Sequence, residues 1–265
     1  MLAFMLLPIA ACLILALIHA YLGLHVLTRG VIFVDLALAQ LAALGALVGY
    51  ALGWPFHTMG SYFFSLGFTL LGALFFALSR YRHMRVPHEG IIGIVYAVAA
   101  AVAILILNFI PAEAEHLKHM LVGNLLYVDQ GEVIKLAIMY GCVGLIHYLF
   151  RRPFWAVSRD DAPIPYARAW DFLFYATFGV VVTSSVEIAG VLLVFAYLII
   201  PSVCAFLFSD RLKKQVLIAW GVGVSASAMG VLMSIRFDLP TGPAIICTLG
   251  VMVGLAGLFS LKRAA

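Results

Sequence analysis

Residues 31–53 read VIFVDLALAQLAALGALVGYALG, an apolar run of the length a bilayer-spanning helix needs, about 20 residues. It is interrupted by a single acid, Asp35. An ionised carboxylate near the centre of a membrane helix costs about 2.5–3.5 kcal/mol on insertion scales. A side chain kept at that cost faces a bundle interior or a water-filled path, so Asp35 is the first candidate functional residue.

The rest of the chain reads the same way. Of 265 residues, 65% are hydrophobic and 11% charged, with mean hydropathy +1.12. A soluble domain carries about 25% charged residues, so this is an all-α polytopic membrane protein, a single transmembrane domain over 1–265. No length is left for a soluble catalytic domain. The net charge of +4 is spread over loops between spans and forms no basic face, which excludes a nucleic-acid partner. Cys12, Cys142, Cys204 and Cys247 stand singly in apolar runs without metal-type spacing, and read as small hydrophobes. The N-terminus MLAFMLLP lacks the basic region of a cleavable signal and is expected to be retained as the first span.

Spans are expected at 2–27, 31–53, 60–79, 90–111, 132–150, 216–235 and 242–261. The stretch 170–208 is long for one pass, and a turn at Ser184-Ser185-Val186-Glu187 would divide it into 170–184 and 188–208. Lysine and arginine mark the cytoplasmic side. With two passes, every basic residue except Lys118, Lys135 and Arg236 falls on one side. Nine spans, N-terminus outside and C-terminus cytoplasmic, are therefore expected. Eight spans with a re-entrant piece are the alternative. Only 80–89 and 151–169 offer sizeable charged cytoplasmic surfaces, and Pro163 and Pro165 keep the second from being one regular helix.

Helical rise places candidate groups by depth. With Arg29 at the cytoplasmic border, Asp35 lies roughly 8–9 Å in, His25 about 6 Å, and His19 and Gln40 about 15 Å. His25 is thus level with Asp35, and His19 with Gln40. Imidazole with carboxylate suits zinc, manganese or iron, and neutral imidazole favours zinc. The competing reading is ordinary interhelical hydrogen bonding. A second cluster, Glu113, Glu115, His116 and His119, can share a helical face at spacings of three and four. It reads either as the outer mouth of a cation path or as a solvated docking loop. Pro201 is expected to interrupt or kink a strongly apolar helix, and Glu187 is expected to be a turn residue or a gate acid. No Gly-x-Ser-x-Gly elbow, His-Glu-x-x-His or Walker loop is present, so no ATPase site is expected.

Several segments together carry a resemblance: VIFVDLALAQLAALG from Val31, EGIIGIVYA from Glu89, HMLVGNLLYV from His119, EIAGVLLVFAYLIIPSVCA from Glu187, and DLPTGPAI from Asp238. In order and content they resemble the permease subunit of the bacterial ABC importers for divalent metals, the zinc, manganese and iron-chelate (ABC-3) family. The most specific match is the segment ending at Pro201, similar to that family's Leu-Val-x-Ala-x-Leu-Ile-x-Pro signature. The resemblance implies a type II importer-like helical bundle in the bacterial inner membrane, and a homodimer with a shared central path. A dimer of ATP-binding subunits and an extracytoplasmic metal-binding protein are the implied partners. Zinc or manganese is the implied cargo, with no covalently bound cofactor. Many family members carry His four residues after the Asp; here that position is Ala39. In place of the family's Asp-Pro-Glu coupling element stand Arg159, Asp160 and Asp161. Rival readings are a permease for cobalamin or iron-siderophore complexes, a proton-coupled secondary transporter using Asp35 and Glu187, and a non-transport scaffold.

Overall fold

A computed structural model describes residues 2–56, 58–80, 86–109, 123, 125–160 and 165–264. Among them are ten α-helices and no strand. In chain order these are α1 (Leu2–Arg29), α2 (Val34–Ala51), α3 (Met59–Ser79), α4 (His88–Phe109) and α5 (Gln130–Leu149). They continue with α6 (Arg151–Arg159), α7 (Ala167–Ala189), α8 (Val191–Phe208), α9 (Leu212–Phe237) and α10 (Thr241–Ala264). All except α6 are long and apolar enough to cross a membrane, giving nine candidate spans among the described residues. Faces of α4 and α10 leave Ile94, Val98, Ile104, Val251, Leu255 and Leu258 exposed, as hydrocarbon contact requires.

The stretch 170–208 does form two helices, but its break is not at Ser184–Glu187. The Ser184 and Ser185 hydroxyls donate to the carbonyls of Val180 and Val181 on the preceding turn, at 2.9 and 2.7 Å. Their polarity is thus satisfied inside the helix, which runs on through Glu187 to Ala189. The chain breaks instead at Gly190, with φ 77°, a left-handed conformation that glycine adopts without a Cβ clash. The second charged segment behaves as its prolines require. Helix α6 stops at Asp160 in the left-handed region (φ 56°), and α7 begins only at Ala167.

The described residues divide into two compact units. The first takes residues 1–28, 121–144 and 188–265, and is built on α1, α8, α9 and α10. Here α1 is strapped by side chains donating to its carbonyls. Ser202 of α8 donates to Ala20 O at 3.1 Å, and Trp220 of α9 to Leu17 O at 2.9 Å. Pro201 cannot donate to the preceding turn, and its ring lies near Gly223 of α9 and Ala16 of α1, so this proline marks a seam of small residues. Such seams let helix backbones approach where the bilayer supplies no hydrophobic drive for association.

The second unit takes residues 29–120 and 145–187. Alanines 37, 39, 42, 43 and 46 line the buried side of α2, which packs against α3 and α4. Polar bridges join the other helices. Thr69 of α3 bonds Thr183 of α7 at 3.0 Å, and His147 of α5 bonds Thr177 of α7 at 2.9 Å. Bonds of this kind between membrane helices average about 0.6 kcal/mol each.

Candidate functional site

Asp35 is the second residue of α2 and 1% exposed. Neither carboxylate oxygen has a well-formed hydrogen bond among the described residues, although the backbone N–H groups of Leu36 and of Asp35 itself lie beside the carboxylate. Its position explains how the charge is tolerated. The first turn of a helix presents unpaired N–H groups and the positive end of the macrodipole, and the N-cap residue, Phe33, supplies no side-chain cap.

The sequence reading missed the residue that shares this helix start. Glu89, in the first turn of α4, accepts the Phe33 N–H through Oε1 at 2.9 Å, while its buried Oε2 has no partner among the described residues. Asp35 and Glu89 are electrostatic neighbours. Three buried carboxylate oxygens therefore stand at the start of α2 without a well-formed hydrogen bond among the described residues. Both acids occur in segments that carried the family resemblance, but only the fold brings them to one place.

The remaining expected ligands are scattered. Gln40 is half-buried on α2, and five residues turn it about 140° from Asp35. His19 and His25 belong to the other unit, on α1, both fully buried. His25 Nε2 bonds the Tyr21 hydroxyl at 3.0 Å. His19 Nδ1 donates to Leu15 O at 2.7 Å, which fixes the neutral tautomer with its lone pair on Nε2. That nitrogen has no partner among the described residues. Glu115, His116 and His119 lie outside the described residues. No group of three His, Cys, Asp or Glu residues able to hold a metal is assembled among the described residues. Asp35 and Glu89 are the two acids that the fold brings within electrostatic reach of one another at the start of α2, and oxygen-only ligands suit hard cations such as manganese.

Of the expected coupling residues, Arg159 and Asp160 are exposed at the end of α6, with the Arg159 guanidinium 5.6 Å from the Trp155 ring centroid. Asp161 lies outside the described residues. Next to them stands a charged cluster that the sequence reading also missed. Asp171 Oδ1 accepts from Arg29 Nη1 at 2.7 Å and from Arg80 Nη1 at 2.6 Å. The signal for it was present, since Asp171, like Asp35, is an acid within an apolar run.

The profile of the ABC 3 transport family matches residues 1–260. The manganese transport system membrane protein MntC of Halalkalibacterium halodurans is 25% identical over 262 residues, covering 96% of this chain and 87% of the relative. The chelated iron transport system membrane protein YfeC of Yersinia pestis is 26% identical over 255 residues, covering 93% and 82%. The fold matches a chain of PsaBC from Streptococcus pneumoniae in complex with Fab at TM-score 0.76 and 19% identity, covering 96% of this chain and 90% of that one.

Proposed function

The chain belongs to the ABC 3 transport family, and from that membership we propose that it is the membrane permease of an ATP-driven importer that moves a divalent metal ion, manganese or zinc, into the cell. It is a multi-pass protein of the bacterial inner membrane. Relatives named for manganese and chelated-iron transport support a metal cargo over cobalamin, a bulky siderophore or a proton couple. The observation that carries the reading is the Asp35–Glu89 pair, with three buried carboxylate oxygens lacking a well-formed hydrogen bond among the described residues. Carboxylate ligands favour manganese, and the Nε2 of His19, which has no partner among the described residues, is the kind of donor that would favour zinc.

The chain's part in transport is to supply the path, since its sequence has no Walker loop and ATP hydrolysis falls to a dimer of ATP-binding subunits. The distribution of basic residues supports an external N-terminus and a cytoplasmic C-terminus. That orientation places α6, Arg159 and Asp160 on the side where the ATP-binding subunits dock, and an extracytoplasmic binding protein delivers the ion from the other. Two copies of the chain would share one central path. Uptake of radiolabelled manganese and zinc by cells with and without the gene tests this directly. Gene-dependent accumulation of either ion supports the reading; accumulation of neither overturns it.

A further inference from the structure

Three helices and the short helix α6 meet at one carboxylate oxygen. Arg29, the last residue of α1, donates through Nη1 to Asp171 Oδ1 and through Nε to Ser158 Oγ at 2.9 Å. Arg80, just past α3, donates through Nη1 to the same oxygen and through Nη2 to the Val157 carbonyl at 3.2 Å. Asp171 itself sits one turn into α7. Val157 and Ser158 are consecutive residues in the last turn of α6. Each is therefore held by a different arginine, and both arginines are held by one acid.

The bonds to α6 use what a helix end offers. The carbonyls of a last helical turn have no partner inside the helix, and the Val157 carbonyl receives a guanidinium instead. The buried face of α6 is Phe154, Val157 and Ser158, at the i, i+3, i+4 spacing of one side of a helix. Phe154 stacks on the His147 ring at 4.1 Å and 5°, and the Arg29 guanidinium lies 3.8 Å over the Phe174 ring, a favourable cation–π position. Arg29 is fully buried and the Arg80 side chain 20% exposed. A simple structural pair would need one arginine. Two guanidiniums on one oxygen bring Arg29, Arg80 and Asp171 to a single point with one more positive charge than negative.

The exposed Arg159 and Asp160 follow Ser158 directly. A push or pull on them is thus one helical turn from a junction holding the ends of α1 and α3. We propose that Asp171 is a positioning residue that, through Arg29 and Arg80, ties movement of the exposed end of α6 to the ends of α1 and α3, so that ATP turnover is converted into ion movement. This rests on the reading of the chain as a permease.

The test uses the full chain with the ATP-binding subunit that co-purifies with it, reconstituted in proteoliposomes. It reads metal moved per ATP hydrolysed for wild type, Asp171→Asn, Asp171→Glu and Arg80→Gln. Asp171→Asn and Arg80→Gln are expected to lower that ratio about tenfold, within the usual 5–150-fold range of site-to-site coupling, while the subunit still co-purifies in the wild-type proportion. Asp171→Glu, which keeps the charge, is expected to recover at least about half of it. Should Asp171→Asn fail to assemble, Arg80→Gln decides alone, because it leaves the buried Arg29–Asp171 pair in place. A ratio within about twofold of wild type in the assembled variants, or a glutamate no better than the asparagine, overturns the proposal. If no ATP-binding subunit co-purifies with wild type, or wild type moves no metal, it is the permease reading that falls.

Discussion

Arg29 reaches 142 positions along the chain to Asp171, Nη1 to Oδ1 at 2.7 Å, and leaves Asp35, its nearest acid in sequence, without a well-formed hydrogen bond among the described residues. The countercharge that proximity would assign to Asp35 is committed elsewhere. What supports the Asp35 carboxylate locally is the positive end of α2, and the proposed metal cargo would supply the missing countercharge.

Asp35→Asn should therefore separate stability from function. The amide has the same shape without the charge but leaves two polar atoms in the same place, so thermal unfolding of the purified protein in detergent should move by less than about 1 kcal/mol. Metal uptake should fall about tenfold or more, a change of about 1.4 kcal/mol or greater. Unchanged uptake would remove Asp35 from the path.

Glu89 carries two jobs that Glu89→Gln divides. The amide oxygen can still accept the Phe33 N–H that Oε1 accepts now, so the start of α2 should hold and unfolding should move by less than about 1 kcal/mol. The charge beside Asp35 is lost, and uptake should fall with a raised half-saturating manganese concentration. If the variant transports normally, Glu89 is a cap and nothing more.

Ala39→His would place an imidazole one turn after Asp35, on the same side of α2. Imidazole is a better ligand for zinc than for manganese, so zinc should compete more strongly with manganese uptake. Ala39 is 2% exposed, and the larger side chain should lower stability by about 1–3 kcal/mol. Competition unchanged in a folded variant would place position 39 away from the ion.

Gly23→Ala probes the seam between α1 and α8. A Cβ there would overlap the Leu198 carbonyl oxygen, which belongs to a backbone that cannot rotate aside. Forcing the two helices apart should cost about 1–3 kcal/mol, seen as a lower unfolding temperature. A variant as stable as wild type would show that α1 and α8 need not approach so closely.

How much of this was legible differs by residue. The division of 170–208 could be read from length and charge, but its position could not. Ser184 and Ser185 look like turn formers until their hydroxyls are seen bonded to the previous turn, whereas Gly190 was one small residue among many. Asp35 could be singled out because its cost is a property of one residue in one segment. Glu89 stands at the head of an apolar motif, and nothing in its own segment says that it caps the start of α2.

The sequence by itself determined the helical class, the apolar spans and the family, because whether a segment enters a bilayer depends on its own length and hydropathy. Only the tertiary structure decided which charges are paired. It joined Arg29 and Arg80 to Asp171, left oxygens of Asp35 and Glu89 without a well-formed hydrogen bond among the described residues, and pointed the His19 lone pair at no described partner. Those outcomes depend on the rotation and relative depth of helices distant in sequence, which are set by small-residue packing between them.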